Sequence, residues 1–193
     1  MSKIQTILEY QGLAMRTCPD MGDHYLNERH MNLGVITEIG ETLDIFKKYL
    51  AYQKPIDLVN LGEELADQSW YIVNKARFQM IPLEDDFEKV VASVADMMQN
   101  QMFTEEGLPK EVRTEATLTI MLANYCNMTG NYFNAPIVQL ATLNVLASWY
   151  ELDYFQLLTN NIEKLKVRYP EKFTPEAALD RDLDAEREKL EAK

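Results

Sequence analysis

The sequence predicts an all-α protein, a multi-helix bundle. Apolar residues recur at steps of three and four through most of the 193 residues, which is the period of a helix face. Alternation of apolar and polar residues, which is typical of a half-buried strand, is nearly absent. Only seven Gly and seven Pro interrupt the pattern, and 47% apolar residues suffice to bury a core. We therefore expect a single all-α domain over 1–193.

Local signals place the helix boundaries. Pro55 and Pro82 interrupt the pattern because proline lacks a backbone donor and disfavours helix in the residue before it. Thr174 followed by Pro175 is an N-cap with proline at the first helical position. The predicted helices are 3–17, 24–50, 56–80, 83–101, 110–130, 136–150, 152–167 and 175–191.

The last of these segments contains DRDLDAEREKLEAK and is charged on nearly every side. A helix with so few apolar residues has little to bury. The segment 175–193 is therefore predicted to be a C-terminal helix that projects or docks, and a frayed end is the alternative.

A break in the middle of the chain suggests two halves. The stretch MFTEEGLP (102–109) has a Gly and a Pro between two periodic segments. When VITEIGETLDIFKK (35–48) is compared with the stretch IMLANYCNMTGNYF (120–133) and Glu38 is placed on Asn124, Glu41 falls on Asn127. The segment 110–173 is therefore a possible degenerate repeat of the hairpin in 1–101, and chance similarity of two amphipathic hairpins is the alternative.

The charge balance restricts the partners. With 31 acidic and 19 basic residues the net charge is −12, which argues against binding a nucleic acid polymer or an anionic membrane. The start, MSKIQTILEYQ, lacks the apolar core of a signal peptide, and no run approaches the ~18 apolar residues of a membrane span. We expect a cytoplasmic protein.

Two acidic pairs are the strongest chemical signal. Glu38 and Glu41 are three residues apart, as are Glu64 and Asp67 on the next predicted helix. Residues at this spacing share a helix face about 5–6 Å apart. If the two helices pack antiparallel, four carboxylates converge on one volume. Such oxygen ligands favour a hard cation, Mg²⁺ or Mn²⁺.

Other interpretations of these acids remain open. Acids three apart are common on solvated faces. The apolar stripe of the first acidic helix indicates that its acids lie off the core face, and its predicted members are Leu33, Ile36, Ile39, Leu43, Phe46 and Leu50. Gly40 and Gly62, in contrast, suggest a close approach of two helices there, because glycine inside a helix costs about 1 kcal/mol relative to alanine.

The two histidines do not suggest a metal site. His24 and His30 are six apart and do not share a helix face, so a zinc pair is not expected, and we assign them surface or capping roles. A di-iron carboxylate bundle needs Glu-x-x-His pairs, and neither histidine follows a glutamate at that spacing.

The order Glu38-x-x-Glu41, spacer, Glu64-x-x-Asp67 resembles the signature of the MazG-like all-α nucleoside triphosphate pyrophosphohydrolases, which include dimeric dUTPases and dCTP pyrophosphatases. The resemblance extends over roughly 1–90 and 159–193, through EYQGLAMRT (9–17), FKK (46–48), LADQSWYIV (65–73) and NIEKLKVRYPEKF (161–173). It has departures. Thr37 and Ala66 stand where family members often have Glu and Gly, and short members lack the segment from about 90 to 150.

The resemblance implies a fold of the all-α pyrophosphatase type and hydrolysis of a nucleoside triphosphate to the monophosphate and pyrophosphate with Mg²⁺ (or Mn²⁺). It makes Glu38, Glu41, Glu64 and Asp67 metal ligands, with Glu38 or Glu41 as the catalytic base. It implies a homo-oligomer, most simply a dimer, in a bacterial or phage-infected cytosol. The implied substrate-binding residues are Arg16, Lys47, Lys48, Trp70, Asn161, Lys164 and Arg168. The alternative is a non-catalytic acidic module that binds nucleotide or a partner.

Overall fold

The structure of the protein is a computed structural model, which describes residues 2–83, 86–102, 120 and 135–191. These residues form helices and no strand, which confirms the all-α prediction. The elements are α1 (Ile7–Ala14), a 3-10 turn (Met15–Thr17), α2 (His24–Tyr52), α3 (Leu58–Phe78), α4 (Phe87–Met102), α5 (Pro136–Trp149), α6 (Tyr154–Arg168), α7 (Pro175–Leu179) and α8 (Leu183–Leu190).

Aspartate N-caps start the three helices that matter most for the site. Asp23, Asp57 and Asp153 each accept a backbone N–H from the first turn of α2, α3 and α6. Helix α2 ends where Gln53 takes a left-handed conformation, with φ of 54°. The short link that follows turns the chain back, so α2 and α3 form an antiparallel hairpin.

Both ends of the chain differ from the predicted boundaries. Residues 3–5 are not helical, because Thr6 caps α1 and the Ile4 N–H donates to Thr159 Oγ1 at 2.9 Å. The predicted helix 175–191 is two helices, since Asp180 ends α7 and the Asp182 carboxylate caps α8. Short acidic side chains hydrogen-bond nearby backbone groups and so favour caps over helix interiors.

The helices pack around the α2–α3 hairpin. Contacts between these two helices include Thr42–Gln68 at the middle of α3 and Glu28–Gln79 at the end away from the link. Helix α6 packs on α3, α5 packs on α3 and α4, and α8 packs on α6. Buried members of one core come from α2, α3, α5 and α6: Phe46, Leu65, Leu140 and Leu158.

The buried stripe of α2 is shifted from the predicted one, which was wrong at its ends. Leu33 and Leu50 are 61% and 58% exposed. The buried face instead contains small or polar residues that a hydrophobicity pattern misses, and its members are Met31, Gly34, Val35, Ile39, Thr42, Ile45 and Phe46. Glu38 therefore lies on the side of α2 that faces α3, one turn from Gly34 and Thr42.

The glycine predictions are half confirmed. Gly62 marks a close approach, because a Cβ there would lie 2.6 Å from Leu157 Cδ2 of α6. Gly40 has nothing within 4 Å of its would-be Cβ and marks none. The close approach of α2 to α3 occurs at Gly34, where a Cβ would lie 2.1 Å from Tyr71 Cε1.

The proposed repeat cannot be compared with the structure. The predicted helix 110–130 and the aligned residues Asn124 and Asn127 lie outside the described residues. Within the described part, no helix has the length and apolarity that a bilayer crossing requires.

Candidate functional site

Three carboxylates from α2 and α3 meet in one cluster. One oxygen each of Glu38, Glu64 and Asp67 lies within 4.8 Å of the other two. The antiparallel hairpin produces this meeting, because it places the middle of α2 beside the middle of α3. Residues 64 and 67 share a face of α3, and Glu38 opposes them from α2.

Burial and neighbouring carboxylates raise the pKa values of two members of the cluster. Burial, followed by the neighbouring Asp67, raises the pKa of Glu38 to about 7 and that of Glu64 to about 9. The two glutamates share a hydrogen bond in which the protonated Glu64 is the donor. A divalent cation would relieve the same repulsion, so the donor set fits Mg²⁺ or Mn²⁺, which prefer carboxylate oxygens.

Asp67 is held in place by residues from α1 and α6. Asn161 Nδ2 donates to Asp67 Oδ1, and Asn161 Oδ1 accepts from the Tyr10 hydroxyl at 2.9 Å. Lys164 Nζ donates to both Asp67 oxygens at 2.6 and 2.8 Å and to Glu63 Oε1 at 3.2 Å. These bonds fix the rotamer of Asp67.

Lys164 is the internal counter-charge of the cluster. It is 1% exposed, and burial alone would lower its pKa, but Asp67 and Glu63 outweigh burial and raise it. The Lys164 ammonium carries one positive charge, and four carboxyl groups lie around it, so the group as a whole remains acidic. These carboxyl groups belong to Glu38, Glu63, Glu64 and Asp67.

A cavity of about 620 Å³ opens from the cluster. Glu41 and Glu63 line it beside the three clustered acids, so all four predicted ligands border one space, although Glu41 is not in the tight group. Its other walls are mostly aromatic or basic and come from α2, α3, the end of α6 and the chain after α6: His30, Trp70, Tyr71, Arg168, Tyr169, Phe173 and Arg181.

Two of the seven predicted substrate-binding residues line the cavity. Trp70 is buried and its Nε1–H donates to Thr17 Oγ1 at 3.1 Å, so its indole is fixed in orientation. Arg168 makes a two-bond pair with Glu186 at 2.8 and 2.6 Å. Both positions are compatible with contact to a ligand in the cavity.

The polar groups of Asn161 and Lys164 are directed elsewhere. Neither residue lines the cavity, and both are almost fully buried. The Asn161 amide nitrogen donates to Asp67 and its amide oxygen accepts from Tyr10. In the structure both residues orient Asp67, and their direct contact with substrate stays a prediction.

The remaining three predicted cations also lie away from the cavity. Lys47 and Lys48 both pair with Asp44 on the exposed side of α2, because i,i+3 and i,i+4 spacing brings them together there. Arg16 Nη1 donates to the backbone carbonyls of residues 169–171. Arg16 therefore caps the end of α6 and fastens it to the 3-10 turn.

The sequence analysis missed several cavity residues. His30 was assigned a surface or capping role, yet it lines the cavity beside Tyr71, with the two rings edge to face at 6.1 Å. Arg181 lies on the link between α7 and α8 and donates to Glu186 at 2.7 Å. The available signal for His30 was its spacing, since it lies two helical turns before Glu38 on one face.

The charged C-terminal segment docks rather than fraying. Glu186 of α8 is 2% exposed and accepts from both Arg168 and Arg181, which border the cavity. This contact lays α7 and α8 beside the cavity.

Chemically, the arrangement places carboxylates that could hold a divalent cation at one wall and aromatic surface with arginines at the others, which suits a ligand with a phosphate tail and a flat ring. No protein family model, curated protein or solved structure matches the chain.

Proposed function

We propose that the protein is a Mg²⁺-dependent nucleoside triphosphate pyrophosphohydrolase, which hydrolyses an NTP or dNTP at the α-phosphorus to the monophosphate and pyrophosphate. The observation on which this rests is the meeting of Glu38, Glu64 and Asp67 within 4.8 Å at the wall of a cavity. The resemblance of the four-acid signature to the MazG-like enzymes supplies the reaction.

The residues divide the work as follows. Glu38, Glu64 and Asp67 would hold the cation, and Glu41 would complete the set from the cavity wall. A cation held there would supply charge neutralisation for the phosphate oxygens and a lowered pKa for water. Glu38 or Glu41 takes the proton of the attacking water. Lys164 and Asn161 keep Asp67 in its rotamer, and Trp70 offers a flat surface to the base.

The charge of the site supports a cation-dependent reaction in particular. A triphosphate and the acidic cluster repel each other unless positive charge lies between them. Lys164 is already engaged with Asp67 and Glu63, and Arg168 with Glu186. The additional positive charge must therefore arrive with the substrate, which is how Mg²⁺–nucleotide complexes bind. Such nucleotides are cytoplasmic, and we place the protein there.

The first test is the release of pyrophosphate from a panel of canonical, deoxy and modified triphosphates with Mg²⁺. We expect the monophosphate and pyrophosphate, and in ¹⁸O-labelled water the label in the monophosphate, because water attacks the α-phosphorus. A diphosphate with inorganic phosphate would contradict the proposal.

A matched pair of variants on α2 sharpens this test. Glu41→Gln removes a carboxylate that lines the cavity, whereas Asp44→Asn removes one that pairs with Lys47 and Lys48 outside it. We expect a large loss of pyrophosphate release in the first and near wild-type rates in the second. Equal rates in all three proteins, or none with any substrate, would favour the non-catalytic acidic module.

A further inference from the structure

His30 lies at the end of the cavity away from the carboxylates. It is on α2 two turns before Glu38, which separates the two residues by about 12 Å along the helix axis. Gly34 lies between them, and the Tyr71 ring packs on its bare backbone. Thr17, Pro19 and Trp70 line the cavity with His30. The acidic cluster and the imidazole thus face one continuous space.

The imidazole of His30 makes no hydrogen bond to a described residue. Its Nδ1 is buried and unpartnered, and its contact with Tyr71 is ring edge to ring face. Burial lowers the pKa of His30, which favours the neutral ring with one donor and one acceptor nitrogen.

The neighbours of His30 give it no partner. Trp70 Nε1–H donates to Thr17 Oγ1, and the Thr17 hydroxyl donates to the Ala14 carbonyl at 3.2 Å. The Trp70 N–H and the Thr17 hydroxyl are therefore hydrogen-bonded to each other and to a backbone carbonyl. His30 lines the cavity, and Nδ1 is a buried atom without a partner whereas Nε2 is not, so Nε2 is the ring nitrogen left for a molecule in the cavity.

We propose that His30 recognises the nucleotide base, with its Nε2–H donating to a carbonyl oxygen or ring nitrogen at the edge of the base. The tautomer with the proton on Nε2 leaves only a lone pair on the shielded Nδ1, which avoids a buried N–H without an acceptor. This inference rests on the proposed function, because the phosphate tail at the carboxylates directs the base towards His30.

The inference makes His30 a specificity-determining residue. A site that donates a hydrogen bond discriminates strongly against a ring that lacks the acceptor. Base preference should therefore depend on position 30, whereas the chemistry at the phosphorus should not.

Two substitutions separate the hydrogen bond from the shape of the ring. His30→Phe keeps an aromatic ring without a donor, and His30→Gln keeps an amide N–H near the place of Nε2. We expect kcat/KM for the preferred nucleotide to fall about 10- to 100-fold in His30→Phe, with poorer substrates hardly affected. His30→Gln should recover part of the preference. An equal fall for every base, or an unchanged ranking, would overturn the inference.

The control is the other histidine. The chain has two, and His24 is exposed on the first turn of the same helix and does not line the cavity. His24→Phe should keep the wild-type order of substrates.

A binding measurement tests His30 without hydrolysis. With two imidazoles in the chain, ¹⁵N–¹H spectra of the wild-type protein assign both rings. We expect His30 to show the Nε2–H tautomer and to shift when the monophosphate of the preferred base is added with Mg²⁺, while His24 stays unchanged.

The two measurements distinguish failure of the inference from failure of the proposed function. His30 shifts without pyrophosphate release from any triphosphate would leave the inference standing and remove the proposed function. If pyrophosphate is released but the His30 resonances do not move and His30→Phe keeps the wild-type selectivity, the inference fails and the proposed function stands.

Discussion

Two groups of charges lie at or beside the cavity, and their acids are compensated in opposite ways. The cluster of Glu38, Glu64 and Asp67 has Lys164 as its neighbouring cation. Glu186, on the C-terminal segment, accepts three hydrogen bonds from two arginines, Arg168 and Arg181. Acids outnumber cations in the first group, and cations outnumber acids in the second.

The pKa values express this difference. Burial and like charges raise the pKa of Glu38 and Glu64. Burial would also raise the pKa of Glu186, but hydrogen bonds from Arg168 and Arg181 outweigh it and lower the pKa to about 2. A carboxylate that the fold already neutralises is suited to holding the structure together. One that remains under-compensated is suited to binding a cation, so charge balance separates the two roles better than burial does.

The largest expected effect is in the under-compensated group. Glu64→Gln removes one of three clustered ligands, and we expect pyrophosphate release to fall on the order of 100-fold or more, beyond the 10- to 100-fold typical of residues that only support ligands. Stability in EDTA should stay the same or rise, because glutamine keeps a hydrogen-bond donor in the place of the protonated Glu64 and has no proton to lose at high pH. Activity near wild type, measured with saturating Mg²⁺, would contradict a shared cation site.

The second prediction concerns the compensated group. Glu186→Gln leaves Arg168 and Arg181 without their carboxylate, and we expect a loss of about 1–3 kcal/mol in unfolding free energy, measured by urea denaturation. Activity should fall less than in Glu64→Gln. Glu188→Gln, an exposed change on the same helix, should stay within about 0.5 kcal/mol of wild type. Equal stabilities for the two variants would mean that α8 is not anchored by Glu186.

The third prediction is the pH dependence of stability in EDTA. A carboxyl with a raised folded pKa favours the folded state at low pH, so Glu38 and Glu64 make stability fall as pH rises above the ordinary value of 4.5. Glu186 has a lowered pKa and stabilises above that value, and its contribution is lost as pH falls towards 2.

Urea midpoints between pH 3 and 9 should therefore decline on both sides of a mildly acidic maximum. Glu64→Gln should flatten the alkaline decline, and Glu186→Gln the acidic one. Added Mg²⁺ should flatten the alkaline decline in the wild type and in Glu186→Gln, which both keep the carboxylate cluster, and should have less to flatten in Glu64→Gln. If Glu64→Gln flattened the acidic decline and Glu186→Gln the alkaline one, the contrast between the two groups would be refuted.

The smallest effect separates the two arginines. Arg181 is partly exposed and contributes one hydrogen bond to Glu186, whereas Arg168 contributes two and is less exposed. We expect Arg181→Gln to cost no more than about 1 kcal/mol and Arg168→Gln more, by the same urea measurement. A larger loss at Arg181 would reverse the assigned order.

Much of this architecture could be predicted because it depends on local patterns. Helical periodicity gave the fold class, and the three-residue spacing of Glu64 and Asp67 placed them on one face. The hairpin then brings Glu38 opposite Glu64 and Asp67, because a short link joins the two long helices. Such features depend on neighbours in sequence, where residue type and spacing suffice.

The rest depends on tertiary contacts that spacing does not encode. Glu38 was expected off the core face because Gly34 and Thr42 do not count as apolar, although both are buried against α3. Lys164 and Asn161 were expected at the substrate, since a buried ammonium or amide cannot be distinguished in sequence from one that faces a cavity. The docking of the charged C-terminal segment depends on a distant partner, Arg168.

The absence of a side chain at Gly34 limits which substitutions this protein can accept. The Tyr71 ring occupies the volume that any side chain at 34 would need, with as little as 2.1 Å between ring and would-be methyl. Tyr71 also forms the floor between the imidazole and the acids. A Cβ at position 34 of α2 would therefore displace the Tyr71 ring and shorten the space for a bound molecule. The length of ligand that fits is thus set by Gly34, a residue with no side chain.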